Sequence, residues 1–392
     1  MAKSLERPLS SNECCIYRIP TWLRKLNGEA YTLKIISIRP FHHGSKRLEP
    51  MEKLKLKYFQ RFLRRINDLN IESLVNAIKL HEERARDCYA ETINLSIDDF
   101  VIVILLDGSF IIELFYVIQL QGEDDVICEN HILLNPILWE AMEMDLLLLE
   151  NQLPFFVLEI LFSLAYAPND DEYPSFISLV IKVFENIKDQ EFPGDFGEQP
   201  IWHFVDLTKA FFLPSSKKQV LPHEMKFKVS SSKCLLDFKS NGILEIPYME
   251  LSNETETIYR NIIAFEQCHY PHDTHFTNYI VLLNFLINTS KDAELLIRKG
   301  IIMNALGNND SVTSLFNNLD MNIVYYSEEY AYRGLFRDLN AFYRNTKHTW
   351  KATLKHDYFG IPWKITSTVA VVTLLLLTLV QTICSIIQVV KM

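Results

Sequence analysis

The densest run of metal-ligating side chains in this 392-residue chain is Cys268-His269-Tyr270-Pro271-His272-Asp273-Thr274-His275. Thiolate, imidazole and carboxylate at short spacing are the donors of a Zn²⁺ site, with Cys268, His269, His272 and His275 as candidate ligands. The spacing matches no familiar zinc signature, and no second cluster completes it. A polar loop between two helices is the preferred reading. His42-His43-Gly44, just after Pro40, is the next candidate. Adjacent imidazoles point apart and chelate poorly, so a tight turn is preferred there.

A third group is chemically more suggestive. Asp107, Glu113, Asp145, Glu150, Asn151, Gln152 and Glu159 all sit among Leu, Ile and Phe. Buried carboxylates need partners, or their pKa rises. Two facing each other could do acid–base work. The same residues could instead cap helix ends and bond arginines in a polar core. The structural role is preferred, because no G-x-G-x-x-G, Walker loop, G-x-S-x-G or H-E-x-x-H accompanies them. No catalytic residue and no cofactor is assigned.

Composition narrows the class. The chain is 48% hydrophobic and 22% charged, which excludes a disordered or collagen-like protein. The formal net charge of −10 argues against nucleic acid as a partner. Seven cysteines without a C-x-x-C point to a reducing compartment rather than a disulfide framework. Residues 1–15 contain no apolar run of signal-peptide type, and Ala2 excludes myristoylation. Cys14 and Cys15 read as ordinary thiols in preference to palmitoylation sites.

The carboxyl end carries the strongest pattern. Ile365–Val390 is 26 residues without a charge. As a helix it reaches about 39 Å, longer than a hydrocarbon core of about 30 Å. Trp363 and Lys364 at one edge and Lys391 at the other fit interfacial anchors. Arg344, Lys347, Lys351, Lys355 and Lys364 precede the span, and Lys391 alone follows. The positive-inside rule therefore predicts a cytosolic body on a single-pass C-terminal anchor, with the plasma membrane as the expected location. Sequons at Asn94, Asn253, Asn288 and Asn309 would favour the opposite orientation if used. Thr366/Ala370 and Thr378/Thr382 are small-xxx-small steps, so the span admits a homo-oligomer.

Elements that would position these groups are mostly helical. Residues 1–65 hold 15 Lys/Arg against 5 Asp/Glu. Within them Glu52–Leu69 predicts an amphipathic helix, whose basic sides are solvated or dock on the acidic body in preference to lipid. Further helices are predicted over Glu72–Thr92, Phe100–Phe115 behind a Ser96-x-x-Asp99 cap, Asn130–Leu149, Phe155–Tyr166, Pro174–Lys188, Ile201–Phe212, Thr255–Cys268, Asn278–Asn288 and Ser327–His348. Exposed loops are expected near 190–200 and 214–233. Asn241-Gly242 between short apolar runs predicts a β-hairpin near 235–247. The expected organisation is a flexible segment 1–14, a helical domain 15–360 with one small β-hairpin, and a transmembrane helix 365–390.

Several stretches resemble a known family, the plant proteins of domain of unknown function 247. They include Cys15-Ile-Tyr-Arg-Ile-Pro20, Ile36-Ser-Ile-Arg-Pro-Phe-His-His-Gly44 and Met51-Glu-Lys-Leu-Lys55. Leu106-Asp-Gly-Ser-Phe-Ile-Ile-Glu113 and Asp145-Leu-Leu-Leu-Leu-Glu-Asn-Gln-Leu-Pro-Phe-Phe156 follow. Asn241-Gly-Ile-Leu-Glu-Ile-Pro247, Ile263-Ala-Phe-Glu-Gln-Cys268, Lys299-Gly-Ile-Ile302 and Tyr358-Phe-Gly-Ile-Pro-Trp363 complete the set in order. Arg39 and Phe41 stand where the family usually has glycine and tyrosine, and the stretch around Val220–Lys228 is shorter than usual. The resemblance implies a mostly helical, single-span plant membrane protein without established enzymatic activity. Some relatives resemble pollen-side determinants of self-incompatibility in grasses, which implies recognition or signalling. The expected function is therefore non-enzymatic recognition through a protein partner, with membrane lipid around the C-terminal helix. A membrane-tethered hydrolase using His and carboxylate groups, with or without metal, is the alternative.

Overall fold

The structure is a computed structural model that describes residues 13–38, 40–41, 49–66, 71–119, 135–166, 175–187, 200–212, 226–229, 243–324, 332, 334 and 362–390. The chain divides into two compact units, one of Met1–Val220 with Met225–Ala331, the other of Leu221–Glu224 with Tyr332–Met392. The first begins with α1 (Thr21–Arg24), α2 (Glu49–Arg65), α3 (Ile71–Leu80), α4 (Glu82–Asp87) and α5 (Ile97–Gln119). It continues with α6 (Pro136–Leu146), α7 (Phe155–Ala165), α8 (Phe176–Val183) and α9 (Phe204–Phe212). Strands β1 (Lys226–Val229), β2 (Ile243–Ile246) and β3 (Met249–Leu251) come next, before α10 (Thr255–His269), α11 (His275–Leu286) and α12 (Ser290–Arg298). Strand β4 (Ile302–Asn304) and α13 (Asn309–Asp320) close this unit, and the second unit contains α14 (Pro362–Val390).

Helix α5 is apolar on every side, which makes it a core helix. Phe100, Ile104, Phe110, Ile111, Leu114 and Phe115 have no exposed surface. Its start is capped as the sequence predicts: Ser96 Oγ accepts from the Asp99 amide at 3.1 Å and donates to the Asp99 carboxylate at 2.6 Å. Helices α2, α3, α7 and α8 pack around it. Gly108 lets α7 approach, since a Cβ there would stand 2.6 Å from Leu161 Cδ1. Phe115, Phe184 and Phe204 meet at ring separations of 5.5–6.0 Å beside α5. A second group of helices, α9, α11 and α13, gathers around α10.

The sheets are small and parallel. β1 pairs with β2 from Lys226↔Ile243 to Val229↔Ile246, and β3 pairs with β4 from Met249↔Ile302 to Leu251↔Asn304. This corrects the expected hairpin. Its second arm is β2, but the described partner is β1, in parallel. The first arm Leu235–Lys239 and the Asn241-Gly242 turn lie outside the described residues. Parallel neighbours need a long connection, and the residues between Val229 and Ile243 supply one. β1 also lies inside the expected loop 214–233: its Lys-Phe-Lys-Val alternation is a strand period that the flanking Ser and Lys clusters obscure. The expected helix Glu72–Thr92 is divided at His81, which leaves helical geometry at φ −109°, ψ 9°. Glu13 and Cys14, in the segment expected to be flexible, are engaged: Glu13 pairs with Arg84 at 3.2 Å, and the Cys14 carbonyl accepts from Tyr17. Most of 190–200 and of Ser327–His348 lies outside the described residues.

Helix α14 is apolar and exposed. Val369–Ile387 has a mean hydropathy of 2.4 with no buried residue. Thr373, Thr378 and Thr382 each donate a hydroxyl to the carbonyl four residues earlier, at 2.7–2.8 Å. Its length and composition are those of a helix able to cross a membrane, as are those of the mostly buried α5. Trp363 and Lys364 lie in its first turn, and Lys391 lies outside the described residues.

Candidate functional site

The embedded acids and amides hold backbone together. Asp145, at the end of α6, accepts from the amides of Lys34, Ile35 and Ile36 at 2.8, 2.6 and 2.8 Å. Burial pushes its carboxyl up despite those bonds. Asn151 Oδ1 accepts from the Ile38 amide at 2.6 Å, while its Nδ2 donates to the carbonyls of Ile36 and Asp145. Glu150 accepts from the Ile19 amide at 2.7 Å and pairs with Arg24 at 2.8 Å. Gln152 donates to the carbonyls of Leu146 and Leu148 and accepts from the Phe204 amide. Five consecutive leucine-or-glutamate positions thus form a turn whose polar neighbours bind three separate chain segments. The segment Ile16–Ile38 has little regular structure, so its buried amides need these acceptors.

The acids on α5 hold α2. Lys55 Nζ meets Asp107 Oδ1 at 2.7 Å, and neither side chain is exposed. Arg61 and Arg65 reach Glu113 at 2.6 and 2.8 Å. Arg65 also lies over the Tyr116 ring at 3.9 Å. These three basic residues of α2 therefore dock on carboxylates of the body, the preferred reading of that helix. Glu159 is half-buried, its carboxyl pushed up by desolvation. It lines a cavity of about 260 Å³ with Arg84, Phe156 and Trp202.

Cys268 and His269 end α10, and His275 begins α11, with His272 on the exposed turn between them. His269 Nδ1 stands 3.0 Å from the Tyr17 hydroxyl, which itself donates to the Cys14 carbonyl at 2.9 Å. The His269 imidazole thus belongs to one hydrogen-bonded group with Tyr17 and the Cys14 backbone. Its ring stacks on Phe265 with centroids 5.1 Å apart. Burial and then Lys209 lower His269 to about 4, and burial pushes the Cys268 thiol up to about 11. A neutral thiol is a poor zinc ligand. His275 Nε2 pairs with Asp273 at 2.7 Å. Among the described residues, no three His, Cys, Asp or Glu side chains are placed to hold a metal. His42 and His43 lie outside the described residues. Cys15 is fully buried, its thiol raised well above the usual range by desolvation first.

Several participants escape sequence reasoning. His203 is fully buried; its Nδ1 accepts from the Asp206 amide at 3.3 Å, so Nε2 donates to the Cys15 carbonyl at 3.0 Å. Desolvation lowers it to about 3. Glu266 caps α11, accepting from the amides of Phe276 and Thr277 at 3.0 and 2.7 Å. Asn261 accepts from the Leu149 amide and donates to the Ala30 carbonyl. Glu266 stands within a stretch that carries the family resemblance; Asn261 has no sequence signal beyond a polar residue on an apolar helix.

The comparisons with known proteins follow the same segments. The family DUF247, described as plant protein of unknown function, matches residues 16–377. The UPF0481 protein At3g47200 of Arabidopsis thaliana is 28% identical, covering 94% of this chain and 85% of its own length. The putative UPF0481 protein At3g02645, also of Arabidopsis thaliana, is 21% identical over 97% of this chain and 92% of its own. No solved structure matches the chain. With the match running through the polar turn, the α2–α5 ion pairs and into α14, this chain belongs to the plant family DUF247.

Proposed function

We propose that this protein is a non-enzymatic interaction protein held on a membrane by α14, with its helical body recognising a protein partner. The observation that carries the anchor is the apolar surface of Val369–Ile387, exposed along its whole length. Burying a Leu or Val side chain is worth roughly 1.5–3 kcal/mol, so such a stripe strongly favours a lipid surround. Support for a non-enzymatic body comes from the use of its core acids: Asp107, Glu113, Asp145 and Glu150 all bind lysine, arginine or backbone groups.

The flanking charges favour a cytosolic body. Asn94, Asn253 and Asn288 are exposed, so an extracytosolic body would present usable sequons. A glycosidase-induced gel shift of the plant-expressed chain would reverse the orientation; no shift is expected. Affinity purification of the chain with its anchor removed tests the recognition role. A reproducible protein partner is the expected result, and its absence would count against this reading.

A further inference from the structure

A second cavity, of about 290 Å³, opens between α6, the β3–α10 junction and the end of α9. Its acidic side comes from Glu140 and Glu143 on α6, Glu250 on β3 and Glu254 just before α10. Met144, Ile258 and Phe212 supply apolar walls. Glu140 and Glu254 hydrogen-bond to each other, which two carboxyls can do only by sharing a proton. The contact with Glu254 pushes the Glu140 carboxyl up, while Ser252 and Glu140 lower that of Glu254 against the opposing effect of its burial. Lys34 acts on both of these carboxyls, although Glu140 is exposed at the rim.

Glu143 differs from the others. Only 6% of it is exposed, and its Oε1 atom is buried with no hydrogen-bond partner. Desolvation and then Glu140 push its carboxyl up to about 7. A buried carboxylate oxygen without a donor is costly to keep and normally marks a missing partner. In the ionised form that oxygen calls for a donor, and a positive one offsets the surrounding acids as well. A compact metal ion does not fit, because no three acidic side chains here are spaced to ligate one. An ammonium on an aliphatic stem does fit, with its charge against the acids and its methylenes against Met144 and Ile258.

We propose that this cavity binds an alkylammonium group, with Glu143 as the principal acceptor and the Glu140–Glu254 pair at the rim. Such a group is carried by a free diamine or by a lysine side chain of a partner. The second source would extend the recognition role; the first stands without it. The ligand proton count follows from Glu143: binding requires its ionised form, so a cation entering at pH 7 displaces about half a proton on average.

The test is calorimetric titration of the full chain in detergent micelles with cadaverine, and separately with Nα-acetyl-lysine amide. Saturable binding is expected, strengthening roughly tenfold from pH 6 to pH 8 as Glu143 ionises. At pH 7 the heat should depend on the buffer, reporting proton release. Glu143→Gln should weaken binding at least tenfold at pH 8, and the exposed Glu140→Gln by less, with unchanged circular dichroism in both. Binding of both probes identifies a side-chain source; binding of cadaverine alone identifies a free amine. No saturation at millimolar ligand overturns the proposal, as does equal affinity in Glu143→Gln. Tighter binding of Mg²⁺ or Ca²⁺ at Glu143, displacing the amine, overturns it too.

Discussion

Lys55 and Asp107 face each other at 2.7 Å in the heart of the α2–α5 contact, with no exposed surface on either side chain. Lys55 also donates to the Ser37 carbonyl and reaches Glu52 at 2.9 Å. One cation thus ties α2 to α5 and to the irregular segment before it. Removing one partner of a buried pair strands the other charge, at a cost of about 3–5 kcal/mol. Asp107→Asn is therefore expected to lower stability by about 3 kcal/mol in urea unfolding of the body. The Lys55→Met/Asp107→Leu double variant should fall closer to wild type than either single change, because it leaves no stranded charge.

Asp145 makes a different kind of bond, to three successive amides rather than to a cation. Asp145→Asn replaces one acceptor oxygen with a donor facing N–H groups. Each buried amide left unpaired costs about 1–3 kcal/mol. The loss should be local before it is global: the amides of Lys34–Ile36 are expected to exchange with deuterium first. Uniform loss of protection across α5 would contradict this division of labour.

These two cases show what a sequence reveals and what it conceals. The apolar run around Asp107 and Glu113 announces buried acids, and the basic face of Glu52–Leu69 announces possible counter-charges. Charge balance suggests that the two sets meet, and the structure supplies which residue pairs with which. Asp145 and Asn151 are equally visible as polar residues in a greasy stretch, yet their partners are backbone amides more than 100 residues away, which no periodicity encodes. The sequence pattern predicts no helix over α12 or α13, although Thr289–Asp292 forms a capping box at the start of α12. Each is a short helix, marginal in isolation, and packing of the two on each other, on α11 and on β4 decides them. The acid cavity has no linear signature, because Glu140 and Glu143 come from one helix while Glu250 and Glu254 come from a strand and a loop.

Two buried groups set opposite pH slopes. His203 titrates at about 3 when folded, against about 6.5 unfolded. Between those values the unfolded chain binds more protons, so stability falls as pH drops, by about 2 kcal/mol at pH 5. Glu143 titrates at about 7 when folded, against about 4.5 unfolded. Its contribution is complete at low pH and is lost as pH rises through 7, by about 3 kcal/mol. Thermal melts should show Glu143→Gln more stable than wild type at pH 8 and equal to it at pH 4. His203→Gln should flatten the acid limb without moving the alkaline one.

Gly300 closes α12 at φ +69°, in the left-handed region. Its amide bonds the Ile297 carbonyl at 2.9 Å, and the Ile301 amide bonds that of Leu296 at 3.0 Å. This is the Schellman arrangement, in which glycine avoids a Cβ penalty. No atom lies within 4 Å of where a Cβ would stand, so Gly300→Ala isolates the backbone term. A loss of about 1 kcal/mol is expected from urea unfolding.

The anchor can be tested by charge alone. Leu376 and Leu379 lie near the middle of Val369–Ile387, exposed by 60% and 59%. An arginine at the centre of a spanning helix costs about 2.5–3.5 kcal/mol on insertion scales. Two such changes should therefore shift the insertion equilibrium by roughly several thousandfold or more. Leu376→Arg/Leu379→Arg is expected to move the full chain from the membrane pellet to the supernatant after high-speed centrifugation of lysed plant cells. The control is Leu376→Ala/Leu379→Ala, which removes bulk without adding charge and should stay in the pellet. Wild-type chain in the supernatant would remove the membrane from the proposal, since the exposed stripe would then need a protein surface to cover it. Retention of the arginine variant would point the same way, because a protein groove lined with acids can accept two guanidinium groups and a hydrocarbon core cannot.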